Sequence, residues 1–116
     1  MSYLYISLGA VLGALSRYQL DRWFVQPVSG FPWTTLAINV TGSFLIGLFA
    51  NALPDRSDLR LFAMVGFCGS YTTFSTYSLE IVKLLQSGNP SVALIYLAAS
   101  AVLAPLACYV GYSLTS

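Results

Sequence analysis

Long stretches without a charged side chain constrain this fold more than any other feature of the sequence. The five basic and four acidic residues form three clusters, at positions 17–22, 55–60 and 80–83. Four intervals carry no charge: 1–16, 23–54, 61–79 and 84–116. Uncharged apolar stretches of about 18 or more residues are typical of transmembrane helices. We therefore expect an all-α protein embedded in a lipid bilayer.

The composition excludes several classes of function. Only 8% of the residues are charged, against about a quarter in a soluble domain. Nucleic-acid binding needs a basic stripe, which five scattered basic residues do not form. Histidine is absent, so histidine-based catalysis and histidine-bound metals are excluded. No nucleophile–base pair is visible, so an enzyme is not expected. Cys68 and Cys108 both lie in apolar stretches and are interpreted as small core hydrophobes.

Turn-forming residues divide the chain into one four-helix domain covering 1–116. The breaker-rich segment Gln26–Pro32 ends the first helix, and similar segments follow positions 52 and 86. The four transmembrane helices are predicted at about 2–24, 33–52, 59–86 and 91–114. The first lacks a basic leader and a cleavage site, so it is predicted to be a retained helix. Gly9 and Gly13 in helix one predict close helix packing, as do Ser43 and Gly47 in helix two.

The centre of helix three is unusually rich in glycine and hydroxyl residues. Positions 66–78 hold two glycines and six serines or threonines. Such residues compete for or weaken helical hydrogen bonds, so the helix is predicted to break near Gly69–Thr73. A break inside a membrane is tolerated only where its polar groups are buried in protein or line a cavity. Freed carbonyls suit a hard cation, while packing through small residues is the alternative interpretation.

Other polar residues lie in or near the predicted spans. Asn39 is well inside helix two, where its amide is either a link between helices or a donor along a pathway. Arg17 and Glu80 lie nearer helix ends, where they either snorkel to the interface or line a vestibule. Tyr96 and Ser100 are one turn apart on helix four and predict a polar stripe.

The basic residues give the topology almost no bias. Arg56 and Arg60 share one predicted side of the membrane with both termini. The other side holds Arg17, Arg22 and Lys83. Weak asymmetry of this kind predicts insertion in both orientations, which allows an antiparallel homodimer. The alternative is a weakly biased topology that other factors fix.

Three motifs, in order along nearly the whole chain, make it resemble the Fluc (CrcB-type) fluoride channels. Gly-Ala-Leu-Ser-Arg-Tyr at 13–18 is similar to the family's Gly-Ala-x-x-Arg-Tyr/Trp element. Asn-Val-Thr-Gly-Ser-Phe at 39–44 is similar to its Asn-x-x-Gly-Ser-Phe element. Gly-Phe-Cys-Gly-Ser-Tyr-Thr-Thr-Phe-Ser-Thr at 66–76 is similar to its signature Gly-x-Cys-Gly-x-x-Thr-Thr-Phe-Ser-Thr.

The resemblance implies an antiparallel, dual-topology homodimer with two fluoride pores, each lined by both subunits. It also implies a structural sodium ion on the two-fold axis. Backbone carbonyls of Gly69 and Thr72, two from each subunit, would hold that ion. The lack of a fused second copy suits the inner (plasma) membrane of a bacterium.

The resemblance also assigns the pathway residues. Phe74 matches the first phenylalanine of the family's aromatic box, and Tyr77 replaces the second. Its hydroxyl either donates to fluoride or narrows the path. The remaining assignments to the fluoride pathway are Asn39, Ser75, Thr76, Tyr96 and Ser100. Those to the vestibule are Arg17 and Glu80.

The function expected from these residues is passive, fluoride-selective export that lowers fluoride toxicity. One alternative is a small multidrug-type proton-coupled exporter. It needs a deep carboxylate in helix one, and residues 1–16 contain no acid. The other alternative is a non-transporting membrane scaffold, which would not need the break.

Overall fold

The computed structural model describes residues 1–24 and 30–115, and every regular element in those ranges is a helix. Of the predicted loop Gln26–Pro32, residues 26–29 lie outside the described part. The helices are α1 (Ser2–Trp23), α2 (Trp33–Ala52), α3 (58–71), α4 (Phe74–Gln86) and α5 (Pro90–Leu114). The third predicted helix therefore consists of two helices, α3 and α4.

The interruption between α3 and α4 lies at Thr72 and Thr73. Both residues are extended, with ψ of 155° at Thr72 and φ of −147° at Thr73. Thr73 is the N-cap of α4, since the N–H of Thr76 donates to its Oγ1 at 3.2 Å. The break thus falls within the region 69–73 in which the sequence places it, and the hydroxyl of Thr73 restarts the helix.

Part of α3 is a π-helix, which the sequence did not predict. Its middle section, Leu61–Cys68, is π-helical, between short α-helical sections at Asp58–Arg60 and Gly69–Tyr71. π-Helical turns are rare in proteins, and those that do occur are often found at functional sites. Here the wide section leads directly to the break.

Glycines let the helix pairs approach closely. α1 packs along α3, and α2 packs along α5. A methyl group at Gly13 would overlap the carbonyl oxygen of Phe67, and one at Gly47 would overlap the carbonyl oxygen of Cys108. The small-residue contacts predicted for helices one and two therefore bring backbones together, which stabilises helix pairs in lipid.

Two of the helices, α2 and α5, are long and apolar enough to cross a bilayer. The sequence predicted four transmembrane helices with the third one broken, and the other two candidate spans fall short of this criterion among the described residues. α1 carries Arg17, Asp21 and Arg22 near its C-terminal end, and the break leaves α3 and α4 shorter than 18 residues each. The contact between α2, α4 and α5 encloses a buried cluster, formed by Leu36, Tyr77, Leu84, Ala93 and Tyr96.

Candidate functional site

The side chain of Asn39 joins α2 to the break. Its Oδ1 accepts the N–H of Thr73 at 2.9 Å, and its Nδ2 donates to the carbonyl of Thr73 at 3.2 Å. Gly42, one turn further along α2, lies so close to the break that a methyl group there would overlap Cγ2 of Thr72. Helical spacing of three residues puts Asn39 and Gly42 on the same face of α2. That face therefore holds the break in place.

Backbone carbonyls at the break have lost their helical donors. In a continuous helix the N–H of Thr73 would donate to Gly69, but it donates to Asn39 instead. The N–H of Thr76 would donate to Thr72, but it donates to the hydroxyl of Thr73. Both carbonyls that the sequence assigns to a cation are thus without those bonds, and oxygen donors of this kind fit a hard ion such as sodium.

Gly69 has open space beside it. It is exposed, and a methyl group built there would meet only the carbonyl oxygen of Met64, at 3.8 Å. Six other glycines of the chain would meet backbone or side-chain atoms much more closely. Packing within one chain therefore does not explain the glycine at this position.

A cavity of about 410 Å³ lies between α2, the break and α5. It is open on one side. Four of the predicted pathway residues, Asn39, Phe74, Tyr77 and Ser100, line it together with Thr72. The other lining residues are Gly42, Ser43, Ile46, Cys68, Thr73, Ala101 and Ala104. The cavity is thus mostly apolar, with a few polar groups converging on it.

One of those polar groups has no partner. Among the described residues, the Oγ of Ser100 is the buried side-chain polar atom that makes no hydrogen bond. Leaving a buried hydroxyl unsatisfied costs about 1–3 kcal/mol, so such groups call for an explanation. A solute in the cavity that accepts a hydrogen bond would provide one.

Aromatic rings form the wall of the cavity at the start of α4. The ring centroids of Phe74 and Tyr77 are 5.4 Å apart, and Tyr77 is 5.0 Å from Tyr96. Phe74 is 78% exposed, whereas Tyr77 is buried. The edge of an aromatic ring carries positive charge and can face an anion. Because Phe74 is exposed and also lines the cavity, its ring lies at the open side of the cavity.

Three predicted pathway residues do not line this cavity. Ser75 is exposed, and its Oγ lies 3.4 Å from the Oγ1 of Thr73. Thr76 contributes its backbone N–H to the cap of α4. Tyr96 is completely buried and donates its hydroxyl to Oε1 of Glu80 at 2.9 Å. The structure thus brings four of the seven predicted pathway residues together.

The two vestibule candidates are held by other parts of the protein. Glu80 receives a second hydrogen bond at Oε2, from the hydroxyl of Thr35 at 2.8 Å. Its carboxyl group therefore bridges α2 and α5. Arg17 donates from Nε to the carbonyl of Ser70, at 3.3 Å, just before the break.

Two hydrogen-bonding contacts in this region, one made by Thr35 and one between Thr41 and Tyr71, were not predicted from the sequence. Thr35 lies one turn before Asn39, a spacing that could have indicated a polar face on α2. The hydroxyl of Thr41 lies 3.0 Å from the Tyr71 hydroxyl, which is a second link between α2 and the end of α3. No pattern in the sequence pairs those two residues.

Comparison with known proteins gives one consistent family. Residues 4–112 match the family described as CrcB-like protein, Camphor Resistance. A protein of Acidobacterium capsulatum named fluoride-specific ion channel FluC is 43% identical over 96% of this chain and 93% of its own. A protein of the same name from Thermus thermophilus is 43% identical, covering 97% and 91%. FluC 2 of Nocardia farcinica is 51% identical, covering 88% and 75%.

Proposed function

The chain belongs to the CrcB-like family, and we propose that it forms a passive, fluoride-selective ion channel and is not an enzyme. The observation that carries the proposal is the cavity beside the broken helix, which is lined by two aromatic rings and by a serine whose hydroxyl has no hydrogen-bond partner among the described residues. The names of the relatives point to the same solute. Two apolar helices, α2 and α5, support a location in a membrane.

Fluoride is small and strongly hydrated, so a pathway must replace its water with close donors. The hydroxyl of Ser100 is available for this, because no described residue hydrogen-bonds to it. Asn39 uses one amide hydrogen for Thr73, which leaves the second for the ion. The ring edges of Phe74 and Tyr77 complete the set. Ser75 and Thr76 would offer their hydroxyls to the ion beyond this cavity, whereas Tyr96, whose hydroxyl donates to Glu80, would support the ring of Tyr77 beside the pathway.

We propose that a second, antiparallel copy closes the open side of the cavity. Phe74 is exposed there, and among residues 1–24 and 30–115 no side chain fills the space beside Gly69. The nearly even distribution of basic residues permits both orientations in the membrane. Such a dimer would have two pathways, each lined by both copies.

The carbonyls of Gly69 and Thr72 are the residues that would hold a structural sodium ion on the axis of this dimer. Their lost helical donors leave oxygen lone pairs free for a cation. When bound, the ion would supply positive charge near the fluoride pathways and join the two copies. Arg17, bonded to the neighbouring carbonyl of Ser70, would keep this part of the backbone oriented.

The membrane potential would drive the transport. An anion in a negative cytoplasm is favoured outward by about 2.3 kcal/mol per 100 mV. Hydrogen fluoride that diffuses into a cell and dissociates would leave as fluoride by this route. In the inner membrane of a bacterium the result is detoxification.

Fluoride efflux from liposomes tests the proposal. Purified protein is reconstituted in vesicles loaded with fluoride, and release is followed with a fluoride electrode after valinomycin is added. We expect rapid fluoride release, no chloride release from matched vesicles, and at least about tenfold slower release with Phe74→Ile. Absence of fluoride release from folded, dimeric protein would contradict the proposal and favour a scaffold.

A further inference from the structure

Both polar atoms of the Asn39 side-chain amide hydrogen-bond to one backbone residue of the break. Its Oδ1 and Nδ2 bind the N–H and the carbonyl of Thr73 at 2.9 and 3.2 Å. We propose that Asn39 is a positioning residue that creates the cation-binding carbonyl of Gly69 by withdrawing its helical donor. This inference rests on the proposed function, and it assigns to Asn39 a role besides donating to fluoride.

Two acceptors compete for one backbone hydrogen. The N–H of Thr73 has two possible acceptors, the carbonyl of Gly69 in a continuous helix and the Oδ1 of Asn39 in this structure. A backbone N–H that is partly buried inside the protein needs a partner, so removing Asn39 favours closure of the helix onto Gly69. A carbonyl that accepts that hydrogen has less electron density to offer to a cation.

The position of Asn39 suits this role. Gly42 lets α2 approach the break closely, so a short side chain one turn earlier reaches the backbone of Thr73. Asn39 and Thr73 also line the cavity assigned to fluoride. One amide group therefore links the cation carbonyls to the anion pathway. Replacing it should change the response to sodium as well as the fluoride flux.

Three variants of the full chain separate the roles. Asn39→Leu removes both hydrogen bonds to Thr73, and Asn39→Asp keeps an acceptor for the Thr73 N–H. Thr41→Val is the matched control, because it removes a different link between α2 and α3, the one to Tyr71. For each purified protein, thermal unfolding is measured while sodium chloride replaces N-methyl-D-glucamine chloride at constant ionic strength. Fluoride flux is measured in parallel.

For the unaltered chain we expect the unfolding temperature to rise with sodium. Asn39→Leu should raise the sodium concentration at half-effect about tenfold, as expected when a hydrogen-bonded backbone arrangement is lost. Thr41→Val should leave that concentration within about twofold of the original value, because its link does not involve the Thr73 N–H.

Three results would overturn the inference. The first is an Asn39→Leu protein that loses fluoride flux but keeps the original sodium response, since Asn39 would then act on fluoride alone. If Asn39→Leu does not fold, Asn39→Asp decides: a sodium response weakened about tenfold would contradict the role of the acceptor, which aspartate retains. An unaltered protein that conducts fluoride without any sodium response also overturns the inference. Absence of both flux and sodium response would refute the proposed function itself.

Discussion

Replacing Tyr96 by phenylalanine removes one hydroxyl from a fully buried side chain. Tyr96 is 0% exposed, and its hydroxyl donates to Oε1 of Glu80 at 2.9 Å. Its ring packs against Phe31 and Tyr77, at centroid distances of 5.5 and 5.0 Å, and phenylalanine keeps both contacts. The loss is therefore one hydrogen bond and a satisfied carboxyl oxygen, and we expect a destabilisation of about 1–3 kcal/mol.

A double-mutant cycle in mixed micelles measures this energy. The free energy of unfolding is determined for Tyr96→Phe, Glu80→Leu and the double variant, because leucine, unlike glutamine, leaves no oxygen that accepts the tyrosine hydrogen. Because the two groups are bonded, we expect a coupling energy of about 0.5–3 kcal/mol. Thr35→Val tests the other oxygen of Glu80 in the same way, since Thr35 donates to Oε2 at 2.8 Å. Effects of Tyr96→Phe and Glu80→Leu that add within about 0.3 kcal/mol would refute the assignment of this bond.

Three further predictions follow from single contacts. Ser100→Ala should slow fluoride release from liposomes. It should leave the free energy of unfolding unchanged or raise it by up to about 1 kcal/mol, because no described residue hydrogen-bonds to the serine hydroxyl. Loss of stability together with unchanged flux would contradict this. Gly47→Ala should lower the free energy of unfolding by about 1–3 kcal/mol, since the added methyl group overlaps the backbone of Cys108; unchanged thermal unfolding would contradict it. Tyr77→Phe keeps the ring edge and should hold the fluoride release rate within about tenfold of the original, unlike Phe74→Ile; a complete loss would make the Tyr77 hydroxyl essential.

The ends of several helices could be predicted from turn-forming residues in the sequence. Pro54 follows position 52, and Gly88 and Pro90 follow position 86, and the helices end there in the structure. The break was predictable because glycine and hydroxyl residues crowd one segment. Its position at Thr72 and Thr73 was less predictable, because it depends on Asn39, which is distant in the chain and supplies the replacement hydrogen bonds.

The π-helical section and the limits of the spans were outside the reach of such patterns. Nothing in the apolar run Leu61–Cys68 distinguishes a π-helix from an α-helix, since hydrophobic periodicity alone does not report the hydrogen-bond register. Four charge-free intervals suggested four spans. Charged residues of α1 and the interruption of the third helix reduce the uninterrupted apolar helices to α2 and α5 among the described residues.

The site was predictable as a set of residue types and less so as contacts. The motifs named Asn39, Phe74 and Tyr77, which line one cavity in the structure. They did not reveal that Tyr96 points to Glu80, or that Thr35 completes the pair of donors. Those contacts join α2, α4 and α5, and a linear sequence does not specify which polar side chains of three helices meet.

Current through the protein in a planar bilayer tests the central claim most directly. A tenfold fluoride gradient is imposed with equal chloride and equal pH on both sides, and the reversal potential is measured. A passive fluoride-selective channel predicts reversal near the fluoride equilibrium potential, about 59 mV for a univalent ion. Reversal near zero, or a current that follows an imposed pH gradient instead, would contradict the account and favour the proton-coupled exporter.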